Sequence, residues 1–96
     1  MPASKRLEWS PRAGRDLLAI EAFYAEYCQT TADQVIAEIR RHAIQLEAFP
    51  RIGRRGQVAG TRELVILKYP FLLVYRIVGR RVRIGRVLHQ HQKYPA

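Results

Sequence analysis

The sequence is poor in several things, and each scarcity narrows what the chain can be. It has one cysteine, Cys28, so it forms no internal disulfide and no cysteine-based zinc site, as suits a reducing compartment. Its three histidines, His42, His89 and His91, lack a carboxylate cluster at metal-ligand spacing. No metal and no cofactor are expected. No apolar run reaches eighteen residues, so no membrane-spanning helix is expected. Met1–Arg12 lacks an apolar core of signal-peptide length, and a cytoplasmic location is the expectation. Acidic residues are scarcest where basic ones are densest. Residues 51–96 hold one acid, Glu63, against eleven basic side chains, nine of them arginine, whereas residues 1–50 hold seven acids and six bases.

The formal charge of +9 is therefore carried entirely by the second half. A solvated basic face would aid solubility, but so steep an asymmetry, built from arginine, favours recognition of a polyanion or an acidic protein segment. Ninety-six residues, 48% of them apolar, suffice for one core and not two, so residues 1–96 are expected to form a single domain.

The N-terminal half reads as a strand and two helices. Leu7–Ser10 fits a short edge strand with Leu7 and Trp9 on one face. Ser10-Pro11 is a helix start, with serine at the cap and proline at the first helical position. Leu17, Ile20, Tyr24 and Tyr27 recur at helical spacing and form its stripe. Thr31 and Gln34 read as a capping box opening a second helix. Val35, Ile39, Ala43 and Leu46 make the second stripe, widened by Ile36. Phe49-Pro50 ends this helix, since the residue before a proline avoids the α region. So short a connection makes the two an antiparallel hairpin. Tyr24, Tyr27 and His42 are expected in the core or at its edge. Arg51–Thr61, with three glycines and three arginines, reads as a loop. It lacks the Gly-Lys-Ser/Thr ending of a nucleotide-binding loop, and no strand precedes it.

Gly60–Tyr94 holds three runs rich in Val, Ile, Leu, Phe and Tyr, separated by Tyr69-Pro70 and Gly79-Arg80. This is the pattern of an antiparallel meander, with Gly79-Arg80 as a two-residue hairpin turn. The second run is apolar at both parities apart from Arg76 and reads as the central strand. In the third run Arg81 and Arg83 alternate with Val82 and Ile84, but Arg86 falls on the apolar parity. Either Gly85 is a bulge that resets the phase, or Arg86 points to the apolar side and needs a partner. Glu63 is the candidate partner for Arg86 or Arg76.

The expected architecture is α+β. An N-terminal short strand and an antiparallel helical hairpin pack on a twisted antiparallel sheet, in the order β-α-α-β-β-β, with a short C-terminal tail. This order, with T-R-E-L at 61–64, Y-P-F-L-L-V-Y-R-I at 69–77 and R-V-L-H at 86–89, resembles the RelE/ParE superfamily of toxins from type II toxin–antitoxin modules. The resemblance covers nearly the whole chain. It implies a toxin neutralised by a cognate antitoxin in a hetero-oligomer. An acidic or amphipathic antitoxin segment would suit the basic half.

The resemblance implies two targets. ParE-like members inhibit DNA gyrase; RelE-like members are ribosome-dependent mRNA endoribonucleases. RNA cleavage by 2′-hydroxyl attack needs proton-transfer groups and cations for the developing phosphorane charge. His89 or His91 would fill the first role and Arg62, Arg76 and Arg86 the second, with Lys93 or Tyr94 acting from the tail. RelE-like nucleases carry an arginine three residues before the tyrosine of L-V-Y, and here that position is Leu72. His89 lies in V-L-H, a pattern common on the ParE-like side. A non-enzymatic gyrase inhibitor is therefore preferred. Its contact surface for target or antitoxin would be Arg62, Glu63, Arg76, Arg81, Arg83, Arg86, His89, His91, Lys93 and Tyr94. A plain nucleic-acid-binding domain is the third reading, weakened by the lack of exposed aromatic pairs on which RNA-binding sheets stack bases.

Overall fold

The computed structural model describes residues 4–91, so Lys93 and Tyr94 lie outside the described residues. The elements are β1 (Arg6–Trp9), α1 (Pro11–Ala25), α2 (Gln29–Ala48), β2 (Arg54–Arg55), β3 (Arg62–Val65), β4 (Phe71–Val78) and β5 (Arg81–His89). The strands form one sheet in the order β1-β5-β4-β3-β2. Two features depart from the expected order. The basic loop contributes a two-residue strand, β2, paired antiparallel with β3. The sheet is mixed rather than antiparallel, because β1 runs parallel to β5. Alternation fixes which side chains share a face but carries no direction for two strands so far apart in sequence.

Ser10 starts α1 and ties it to the sheet. Its hydroxyl accepts from the Ala13 N–H at 3.0 Å and donates to the Gly85 carbonyl at 2.9 Å. Its own N–H donates to the Ile84 carbonyl, extending the β1–β5 pairing by one bond. The second helix begins before the expected capping box. Cys28 is the N-cap in extended conformation, and no side chain caps the end. Thr31 lies inside the first turn, which is held by a Gln29–Asp33 side-chain hydrogen bond of 2.9 Å and by the complete burial of Ala32. Burial of that alanine decides the start where the hydroxyl does not.

The hairpin packs on one face of the sheet. Ala13, Leu17, Val35, Ile39, Ala43 and Leu46 meet Leu73, Tyr75, Val82, Ile84 and Val87 in the main core. Tyr24 packs at its margin and His42 is buried, but Tyr27 is 77% exposed. Helix α1 ends at Ala25, so its stripe closes with Tyr24 and Tyr27 falls in the turn beyond it. Strand β4 is central, and its first five residues are buried on both faces. At Gly85 the register slips: Val74 pairs with Arg86 and Tyr75 with Ile84. Gly85 is thus the extra residue of a bulge.

Tyr75 anchors the chain that leaves α2. Its hydroxyl donates to the Pro50 carbonyl at 2.6 Å and accepts from the Gly53 N–H at 3.0 Å. A Cβ on Gly53 would lie 2.6 Å from that hydroxyl oxygen, so the close approach requires glycine.

Candidate functional site: an arginine-lined sheet face

The side of the sheet away from the hairpin has an apolar end and a basic end. At the apolar end Leu72, Val74 and Leu88 form a small buried cluster. At the basic end strand register gathers four arginines. Arg6 of β1 stands beside Arg81 of β5, and Glu8 stands beside Arg83. Arg83 in turn stands beside Arg76 of β4, and Val78 beside Arg81. Alternation puts all of these on one face, since Leu7, Trp9, Val82, Ile84 and Ile77 between them turn to the core. All four arginines are exposed. Glu8 is the carboxylate among them, 3.2 Å from Arg81 and 3.5 Å from Arg83. Arg76 also donates to the Ala59 carbonyl at 3.1 Å.

The remaining singled-out residues lie elsewhere. Glu63 pairs with neither Arg86 nor Arg76. It is 7% exposed, accepts from Arg54 at 3.2 Å and accepts the Gln57 N–H at 3.4 Å. Its partners come from the adjacent loop because β2 brings Arg54 directly opposite it. Arg86 instead meets Asp16 of α1, with Nε 2.9 Å from Oδ2; the same oxygen accepts the Val87 N–H at 2.9 Å. The first anticipated solution is realised, since the bulge resets the phase and sets Arg86 opposite Val74, and Arg86 has a partner besides, in Asp16 rather than Glu63.

Asp16 was not identified from sequence, although a signal was present. It stands four residues before Ile20, on the apolar side of α1, where a carboxylate needs a counter-charge. Arg62 donates to the Gly53 carbonyl at 2.8 Å and pairs in register with Tyr75, so it belongs to the hairpin side of the sheet. His89 closes β5 with its ring 5.7 Å from Phe71, edge to face. Its Nδ1 accepts the His91 N–H at 3.2 Å, which leaves the proton of the neutral ring on Nε2. His89 also borders an apolar cavity of about 320 Å³ with Ile20, Phe23, Tyr24 and Phe71.

The structure thus brings Arg76, Arg81 and Arg83 together and adds Arg6 and Glu8. It does not converge Arg62, Arg76, Arg86 and His89 on one point. Among the described residues no group of His, Cys, Asp or Glu could hold a metal ion, and no helix is long and apolar enough to cross a membrane.

A strand, a helical hairpin and a mixed sheet with a basic outer face define a small α+β domain of the RelE/ParE toxin type. A chain in the structure of the chromosomal ParDE TA system from P. aeruginosa has this fold, with a TM-score of 0.83 and 27% identity over 90% of this chain and 96% of that one. The Y4kP protein of Sinorhizobium fredii is 38% identical over 91 residues, covering 95% of this chain and 94% of its own. Toxin RelE3 of Caulobacter vibrioides is 31% identical over 91 residues, covering 93% and 98%. Residues 7–94 match the family described as the ParE toxin of the type II toxin–antitoxin system parDE, and the chain belongs to that family.

Proposed function

We propose that this toxin acts as a non-enzymatic inhibitor of DNA gyrase and is neutralised by a cognate antitoxin. The observation that carries this reading is the dispersal of the groups a ribonuclease would need. Arg86 is neutralised by Asp16, Arg62 and Arg76 belong to opposite faces, and His89 packs at a strand end against Phe71. A scissile phosphate needs cations and a proton-transfer group within hydrogen-bond reach of one another. Leu72, where RelE-like nucleases carry an arginine, is buried against Val74 and Leu88, which leaves a guanidinium no place on that site.

The antitoxin is assigned to the outer side of the hairpin. Leu18, Phe23 and Ile44 are more than half exposed there, and a cavity of about 250 Å³ lies between Trp9, Leu17, Leu18, Ile36 and Arg40. An amphipathic segment would bury that surface. ParDE is a toxin–antitoxin system by name, which supports a protein partner of this kind.

The test is a supercoiling reaction with purified gyrase, run beside a translation extract with labelled mRNA. Blocked supercoiling with intact mRNA is the expected result. Undisturbed supercoiling at excess toxin, with mRNA cut on the ribosome, would overturn the proposal and make Arg62, Arg76, Arg86 and His89 the residues to mutate. The antitoxin is tested by co-purification with the product of the adjacent reading frame.

A further inference from the structure

We infer that the outer face of β1, β5 and β4 binds the phosphate backbone of duplex nucleic acid without reading its sequence, whichever enzyme the toxin inhibits. Neighbouring strands lie about 4.8 Å apart and alternate residues along a strand about 6.7 Å apart. Arg6, Arg81, Arg83 and Arg76, placed by register, therefore fill a patch about 10 Å across. Like charges set directly opposite one another on neighbouring strands destabilise a sheet. Here Arg6 faces Arg81 and Arg83 faces Arg76, with Glu8 shared between Arg81 and Arg83. The patch keeps a surplus of about three positive charges by this pairing. A polyanion would relieve that repulsion.

The chemistry favours duplex phosphates over other anions. The side chains are arginines, whose planar fork takes two phosphate oxygens at once. Over a 10 Å length the two strands of a duplex together carry about six phosphate charges, a density that matches four clustered guanidiniums. Single strands are held by stacking on aromatic rings, and none of the described residues whose register places them on this face is aromatic. A lipid surface or an acidic peptide needs apolar anchors beside the charge. In these rows Val78 is the sole exposed apolar side chain.

The experiment is fluorescence anisotropy of a labelled, mixed-sequence duplex of about 20 base pairs with the full-length toxin, across a series of NaCl concentrations and without gyrase. Log K should fall linearly with log salt, with a slope of about −3 to −4 for four contacts. The double variant Arg81→Ala/Arg83→Ala should flatten it by about 2 and weaken unrelated sequences equally. Arg83→Lys should retain the slope. Glu8→Gln should bind more tightly, a gain that a merely structural role for this face does not produce. Arg15→Ala/Arg41→Ala, on the helices, should leave the slope in place. Thermal melts establish that each variant is folded. Absent binding at low salt, an unchanged slope in the Arg81/Arg83 variant, equal flattening by the helix variant, or tighter binding to single strands or anionic vesicles would each overturn the inference. Gyrase is not in the assay, so these outcomes are separate from those of the supercoiling test.

Discussion

Tyr75 is 1% exposed, and its hydroxyl closes two hydrogen bonds that the backbone near Pro50 and Gly53 cannot replace from within. Tyr75→Phe leaves a part-buried carbonyl and a buried N–H without this partner and should cost about 1–3 kcal/mol, measured by urea denaturation. Burial pushes the phenol pKa above the ordinary tyrosine value of 10.0, against smaller downward pulls from Gly53 and Arg62. The folded state thus holds this proton to higher pH than the unfolded chain does. Its contribution is complete below pH 10 and is lost as pH rises through the folded value. Tyr75→Phe should accordingly have a flatter alkaline limb in a stability–pH profile, and a limb as steep as the wild type's would overturn this assignment. Asp16 offers a second test. Asp16→Asn leaves Arg86 largely buried and uncompensated, with an expected cost of about 2–4 kcal/mol by chemical denaturation. That Arg86 needed a partner was legible from its parity. The partner was not, because the acid nearest in sequence, Glu63, was taken up by Arg54 of a strand too short to recognise.

At the scale of the element, the cap at Ser10, the central position of β4, the turn at Gly79 and the slip at Gly85 were all written in local chemistry, and the fold uses each. Gly79 has φ +58°, the left-handed conformation its hairpin needs. The start of α2, the exposure of Tyr27 and the parallel pairing of β1 were not legible. Each is settled by burial or long-range pairing that outweighs a few tenths of a kcal/mol of local preference. Gly14 is the informative residue within α1. It lies inside the helix, and a Cβ built there meets nothing within 4 Å beyond its chain neighbours and the backbone of its own helix. Gly14→Ala should therefore stabilise the toxin by about 1 kcal/mol, a rise of roughly 4–8 °C in melting midpoint. Gly14 also lines the cavity assigned to the antitoxin, so the same variant should weaken antitoxin capture. Stabilisation with unchanged capture, read by calorimetry and titration, would move the antitoxin off this groove.

Across the whole molecule the charge is segregated as the sequence foretold, and the fold sharpens the segregation. The acids of the first half are partly consumed in pairs under 4 Å: Asp16 with Arg86, Glu8 with Arg81 and Arg83. Such contacts lie inside a Debye length even at 0.1 M salt, about 10 Å, and survive it. Repulsion among the remaining cations acts across the molecule; at 0.01 M, where that length is about 30 Å, all of it is felt, and at 0.1 M only the part between near neighbours. Salt should consequently stabilise this protein rather than weaken it. The unfolding midpoint should rise between about 0.01 M and 0.1 M NaCl, a range that hardly alters hydrophobic burial. Arg81→Ala/Arg83→Ala should begin from a higher midpoint at low salt and gain less on salt addition, because the repulsion has been removed in advance. A midpoint that falls with salt would mean that the pairs outweigh the repulsion, and that the arginine face is not held at a cost to the fold. A rise that vanishes in the double variant would locate the strain on β5 and β4, the surface on which a polyanion would relieve it.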